Sequence, residues 1–390
     1  MKVVVVCDVY GEKNNGTTIA AVNLINYLKE VGEDVTVLCA DKKQIGKEGY
    51  AVVPNLNLGK LANHILDKNS VTLARPKRSI IYNAIKDADI VHIMMPFALG
   101  RKTLKIAREL NIPITAGFHC QAENVSSHFG VMDNELVNKL IYKNFYRHFY
   151  NQVDSIHYPT EFIHQLFEKE VHHKTDAYVI SNGVNDNYKK IDITKRQAPL
   201  DKYFNILTIG RLCKEKSQKL LIEAVSLSKH KDEIQIVLAG KGPDRDKILK
   251  HARKYKVRKP VIKFFTRKDL NIAINSCDLY VHPAEIEIEA ISCLEAITCG
   301  LVPVISNSKR SATNKFALCE KNLFQYDSPQ DLADKIDYWI EHPEEKEKCS
   351  EQYLGYTKQF DQRKCMEQMH DMLKTCIKLH QLKNNEIHKK

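Results

Sequence analysis

The 390-residue chain lacks any run of roughly 18 uncharged apolar residues, so no membrane-spanning helix is expected. Its apolar start, Val3–Cys7, stops at Asp8. That is too short for the core of a secretory signal and reads as a first β-strand. None of the eleven cysteines forms a CxxC pair. Cys7, Cys39, Cys277 and Cys293 sit in or beside apolar runs, where a thiol acts as a small core residue, which suits a reducing cytoplasm. A GxGxxG fingerprint is missing after the first strand, and Gly240-Lys241-Gly242 is too short to replace it. This argues against a dinucleotide-dependent oxidoreductase. There is no solenoid-period repeat, low-complexity block, acidic metal motif or nucleic-acid-binding motif.

What remains is a globular composition, 43% hydrophobic and 27% charged, over a length that suits two domains. The net charge of +11 favours an anionic partner such as nucleotide phosphates or an acidic membrane surface. Two halves each begin with a strand feeding a helix. Val3–Cys7 leads through a loop into Thr17–Glu30 and then Val35–Cys39. Phe204–Ile209 leads through Gly210–Lys216 into Leu220–Ser228 and then Ile234–Ala239. Further strands are predicted at 90–94, 114–118, 155–158, 178–180, 261–265, 279–282 and 302–305. Short apolar strands alternating with amphipathic helices mark parallel, doubly wound sheets. The polar segment Asn185–Tyr203, with Lys189, Lys190, Lys195, Arg196 and Pro199, marks the junction. The expected layout is an N-terminal domain over 1–185, a linker over 186–203 and a C-terminal domain over 204–352. A helix and basic tail (His388, Lys389, Lys390) follow over 353–390.

Ligands of parallel sheets sit beyond the carboxyl ends of the strands. After Phe204–Ile209 comes Gly210-Arg211-Leu212-Cys213-Lys214-Glu215-Lys216, which places two cations, Arg211 and Lys216, beside a helix start. That combination suits a diphosphate, although a solvated basic loop would look the same in isolation. After Leu279–His282, Pro283-Ala284-Glu285-Ile286-Glu287 is expected to open a helix running to Cys299-Gly300. On such a helix the eight steps from Glu287 to Glu295 span about 12 Å, room for a hexose at one end and a ribose at the other. The helix amides near Glu289–Ile291, including those of Ala290 and Ile291, would then face the phosphates.

Gly210-Arg211-Leu212…Glu215-Lys216, followed by Glu287-x7-Glu295-Ala296…Cys299-Gly300-Leu301-Val302-Pro303-Val304-Ile305, resembles the donor site of family 4 retaining glycosyltransferases. The resemblance spans essentially the whole chain, including Val179–Val184. It implies a GT-B fold: two Rossmann-like domains facing a central cleft, with the C-terminal helix returning to the N-terminal domain. It also implies that Arg211 and Lys216 bind the diphosphate and stabilise the leaving nucleotide, in place of a metal or other cofactor. Glu287 would contact the sugar and Glu295 the ribose. Gly16, in Asn14-Asn15-Gly16-Thr17-Thr18, matches the glycine loop that approaches the phosphate, and His119 matches a histidine facing the reacting sugar. Three details differ from the family pattern, one being Ser311-Ala312-Thr313-Asn314 in place of the more usual acidic loop after Ile305. Ile288 and Ala290 replace the glycines of Glu-Gly-Phe-Gly, so that Glu285 and Glu289 compete in register with Glu287. Ser217 stands where a glycine often follows the lysine.

The acceptor is sought in the N-terminal domain. Lys68, Arg75, Lys77, Arg78 and Lys86 form a basic stretch without acidic residues. Asn134–Tyr150 sets Leu136, Val137, Leu140, Ile141, Phe145 and Phe149 beside Lys139, Lys143 and Arg147. A basic, amphipathic helix suits an anionic bilayer, though the same pattern serves a helix packing inward. Together with a resemblance to bacterial diacylglycerol glucosyltransferases around His119–Asn124, this leads to an expected function. It is hexose transfer, with UDP-glucose as the donor, to a membrane lipid at the inner face of the cell membrane. A polysaccharide acceptor or a non-catalytic nucleotide-sugar binder are the alternatives.

Overall fold

The computed structural model describes residues 1–11, 16–56, 74–127, 129–193, 196 and 199–387. Asn14, Asn15, Lys68, Lys195 and the tail residues His388, Lys389 and Lys390 lie outside them. The chain divides into two compact units, Met1–Asn182 with Arg363–Lys390, and Gly183–Gln362. The described residues of 186–203 fall within the range of the second unit.

The first unit runs β1 (Lys2–Cys7), α1 (Gly16–Glu30), β2 (Asp34–Cys39), β3 (Tyr50–Val52), α2 (Arg78–Ile85), β4 (Ile90–Ile93) and α3 (Ala98–Glu109). It continues with β5 (Ile114–Gly117), α4 (Ala122–Ser127), α5 (Glu135–His148), β6 (Ser155–Tyr158), α6 (Glu161–Val171) and β7 (Ala177–Val179). The sheet order is β3-β2-β1-β4-β5-β6-β7, and every pairing is parallel. Val3 to Cys7 are all buried, as a central strand covered by helices on both faces requires. Beneath α5 and α6, Phe118 packs among the rings of Tyr142, Tyr150, Tyr158 and Phe167. Phe145 and Phe149 are also buried, so this part of the helix's apolar face turns inward.

The second unit runs β8 (Phe204–Ile209), α7 (Gln218–Leu227), β9 (Ile234–Ala239), α8 (Arg245–Lys254), β10 (Val261–Lys263), α9 (Arg267–Asn275) and β11 (Leu279–His282). There follow β12 (Ile286–Glu287), α10 (Ile291–Thr298), β13 (Pro303–Ser306), β14 (Arg310–Ser311), β15 (Leu323–Phe324), α11 (Pro329–Glu341) and α12 (Pro343–Tyr356). Its main sheet, ordered β10-β9-β8-β11-β13-β15, is parallel throughout, and β12 pairs with β14 apart from it. Ser328 starts α11 by accepting from the Asp331 amide at 3.2 Å, and Pro329 supplies the fixed φ of a first helical residue.

The last helix, α13 (Gln362–Ile387), sends Cys365, Met366, Met369, Met372, Leu373 and Cys376 into the core of the first unit. His370 reaches Glu33 at 2.7 Å, and Arg363 pairs with Glu30. The expected return of the C-terminal helix to the N-terminal domain is thus observed. All eleven cysteines are free thiols. Among the described residues no helix is long and apolar enough to cross a membrane.

Candidate functional site

In the second unit the strand order reverses between β8 and β11, the switch point at which doubly wound sheets hold ligands. The two segments singled out in the sequence leave the sheet there. Gly210–Lys216 follows β8 and 283–290 follows β11. The first is held by its neighbour after β9. Gly210 and Leu212 donate their amides to the carbonyls of Ala239 and Lys241, each at 3.1 Å. A Cβ on Gly240 would stand 1.9 Å from the Gly210 carbonyl oxygen, and one on Gly242 would stand 2.3 Å from that of Leu212. The Gly240-Lys241-Gly242 pair is therefore the bed on which the basic loop lies, a role its sequence did not signal. The two segments also meet directly, because the Glu285 amide donates to the Glu215 carbonyl at 2.9 Å.

The expected helix from Pro283 is not formed, and this corrects the sequence reading. Ile286 and Glu287 instead form a short strand whose register sets Glu287 opposite Ser311, and α10 begins only at Ile291. Ala290 precedes it with φ 61°, a left-handed conformation. Ser217, ahead of α7, has φ 50°. Both residues stand where the family pattern has glycine, so the backbone keeps the glycine conformation at a cost of roughly 1–2 kcal/mol each.

Lys216 and Glu287 form an ion pair. Burial alone would raise the Glu287 carboxyl, but Lys216 and then His282 outweigh it and hold it at about 2. His282 Nε2 lies 3.3 Å from the same carboxylate oxygen, while its Nδ1 meets the Tyr280 hydroxyl at 3.0 Å. Arg211 is paired with Glu215 at 2.6 Å. Glu285, a competitor in register, is engaged elsewhere. It pairs with Arg310 at 2.9 Å, and its carbonyl accepts from Ser308 at 2.7 Å. Glu289 is buried. Glu295 lies on α10, and its carboxyl is pushed up to about 7 by burial, against the opposing influence of the Tyr188 hydroxyl and Arg267. Tyr188 and His282 were not foreseen. Tyr188 is hidden in a polar stretch, and His282 looked like no more than the end of a strand.

Gly16 and His119 belong to the first unit. Gly16 opens α1, and a Cβ there would meet nothing within 4 Å among the described residues. His119 follows β5 with its ring 5.5 Å from that of His157. Its Nε2 is buried without a hydrogen-bond partner among the described residues. Burial, followed by His157 and His92, lowers its pKa well below the ordinary value, so the imidazole is neutral. The His157 Nε2 N–H donates to the Ile180 carbonyl at 2.7 Å. A Cβ on Gly117 would stand 2.5 Å from the His119 ring, so glycine there leaves the ring its room.

Two parallel-sheet α/β units, the second with a cationic loop and the Lys216–Glu287 ion pair beside its switch point, have the GT-B architecture of glycosyltransferases. Residues 189–353 match the family "Glycosyl transferases group 1", and residues 14–188 match "Glycosyltransferase Family 4". The chain belongs to the family 4 glycosyltransferases. It is 23% identical to the alpha-monoglucosyldiacylglycerol synthase of Streptococcus pneumoniae, over 80% of this chain and 75% of that one. It is 24% identical to a GDP-mannose-dependent alpha-mannosyltransferase of Mycolicibacterium smegmatis, over 83% and 84%. Among solved structures, Anabaena HepE in complex with UDP and glucose superposes with a TM-score of 0.72 at 16% identity, covering 96% of this chain and all of that one. The catalytic domain of cholesterol-alpha-glucosyltransferase from Helicobacter pylori matches at 46% identity, over 40% of this chain and 96% of that one, with a TM-score of 0.39.

Proposed function

We propose that this glycosyltransferase moves glucose from UDP-glucose to the hydroxyl of a membrane lipid, with retention at the anomeric carbon. The observation that carries the donor half is the Lys216–Glu287 pair, which joins the basic loop to the segment leading into α10. Lys216 and Arg211 neutralise the diphosphate as the sugar–phosphate bond breaks, and the amides of Ala290 and Ile291 add to this from the head of α10. Glu287, ionised across the physiological range, accepts hydrogen bonds from the sugar hydroxyls. Glu295 takes the ribose, and Gly16 gives the phosphates close access. His119, held neutral by burial, hydrogen-bonds the sugar near the reacting carbon. In a front-face transfer the acceptor oxygen bonds to the anomeric carbon on the side the diphosphate leaves, and the departing phosphate oxygen takes the acceptor proton.

The lipid acceptor is supported by the name of the pneumococcal relative and by the net charge of +11. The mycobacterial relative's name favours a second reading in which GDP-mannose is the donor. The deciding experiment incubates the full chain with UDP-glucose or GDP-mannose and vesicles carrying diacylglycerol, a sterol or neither, followed by mass spectrometry of the lipids. One hexose added to a lipid from UDP-glucose is the expected product. Transfer from GDP-mannose alone would replace the donor, and turnover of UDP-glucose with no hexose on any lipid would count against the lipid acceptor.

A further inference from the structure

Three of the most exposed large apolar side chains among the described residues lie within a dozen positions of one another. Phe129 is 78% exposed, Leu136 75% and Leu140 67%, and Val131 beside them is also exposed. The loop holding Phe129 and Val131 is tied to the start of α5. Ser126 Oγ donates to Asn138 Oδ1 at 2.6 Å, Asn138 Nδ2 donates to the Met132 carbonyl at 2.8 Å, and the Val131 amide donates to the Ser126 carbonyl at 3.1 Å. Along α5, positions 136, 140, 143 and 147 recur at helical spacing and share one face. They carry Leu136 and Leu140, followed by the exposed cations Lys143 and Arg147. Arg101 of α3 donates to Asn144 Oδ1 at 2.7 Å, which brings another cation to the same turn. Asp133 and Glu135 are confined to the N-terminal turn, so the apolar end grades into a basic end.

We propose that this face of α5, with the loop carrying Phe129 and Val131, docks the enzyme on an anionic bilayer. The proposal rests on the lipid-acceptor reading and deepens it by naming the surface. Phe129, Leu136 and Leu140 enter the boundary between headgroups and acyl chains, while Lys143 and Arg147 meet the lipid phosphates. A cluster of apolar groups continuous with cations and left uncovered is what an interfacial helix presents, whereas an inward-packing helix would bury the leucines.

The test is co-sedimentation of the full chain with vesicles of phosphatidylcholine, with and without phosphatidylglycerol, at low and high salt. Wild type should bind the anionic vesicles and be released by salt. Leu136→Gln with Leu140→Gln should lower partitioning at least ~10-fold. Lys143→Gln and Arg147→Gln should lower it about fivefold each at low salt. Ile45→Gln, an exposed apolar site elsewhere, should bind as wild type does. Hydrolysis of UDP-glucose without acceptor should be unchanged in all of them, showing that they are folded. Variants that bind like wild type would overturn the proposal, and so would a wild type indifferent to anionic lipid. A concentration-dependent dimer lost in the leucine variant would overturn it too, by showing that a second copy covers the face. Intact vesicle binding without lipid glucosylation would strike the acceptor reading and leave the docking face standing.

Discussion

Replacing Lys216 by methionine keeps most of the stem and removes the charge that holds Glu287 ionised. The Glu287 carboxyl sits at about 2 against an ordinary value of 4.5. At about 1.4 kcal/mol per pH unit, that depression corresponds to about 3 kcal/mol of stability. Both side chains are mostly buried, at 21% and 14% exposed, so solvent screening takes little of it. A depressed carboxyl stabilises the fold fully above its unfolded value, and this contribution is lost as pH falls through the folded one. Lys216→Met should therefore cost up to about 3 kcal/mol at pH 7, His282 keeping its own share of the depression. The difference from wild type should shrink from roughly pH 4.5 downwards and be mostly gone near pH 2. The assay is available in the chain itself. Trp339, the single tryptophan, is buried in the core of the second unit, so its fluorescence reports urea unfolding of that unit. A loss of equal size at pH 7 and pH 3, or no loss at pH 7, would refute the electrostatic account of the pair.

Three further outcomes follow from the same site. Ala290→Gly relieves a left-handed alanine but loses a methyl and adds chain entropy, and should lie within about 1 kcal/mol of wild type. Ala296→Gly, buried inside α10, has no strain to relieve and should lose about 2 kcal/mol in the same urea assay. Gly240→Ala drives a Cβ against the Gly210 carbonyl and should raise the KM for UDP-glucose at least ~10-fold by displacing the basic loop. Glu295 has a raised carboxyl, so its ionisation opposes folding as pH rises from the unfolded value towards about 7. Glu295→Gln should then be more stable than wild type at pH 8 and equal to it at pH 4, measured by thermal unfolding.

Much of the architecture was legible because the buried strands are short apolar runs, such as Phe204–Ile209 and Ile234–Ala239, whose bounds coincide with those in the structure. Tyr50–Val52 is an apolar stretch that continues into Val53, but it is a three-residue edge strand, shorter than the runs that mark the others. The stretch after β11 was misread for a physical reason. Glutamate and alanine favour helix, but glutamate and isoleucine alternate from Glu285 to Glu289, the period of a strand. The left-handed Ala290 then delays the helix. At the candidate site Arg211, Lys216 and Glu287 could be chosen because the motifs occur in order. Tyr188, His282 and the Gly240–Gly242 bed act through packing and second contacts, which spacing along the chain does not encode. The same limit applied to α5, where periodicity marked an amphipathic helix. Only the structure separates the buried Phe145 and Phe149 from the exposed Leu136 and Leu140.

In the proposed mechanism the second unit holds the nucleotide through its basic loop and acts on the sugar through Glu287. That role of Glu287 is tested most directly by measuring UDP affinity and UDP-glucose turnover together in Glu287→Gln. UDP binding should stay within about threefold of wild type and turnover should fall about 100-fold or more, because a neutral amide accepts the sugar hydroxyls more weakly while the phosphate cations remain. Turnover close to wild type in that variant would contradict the role.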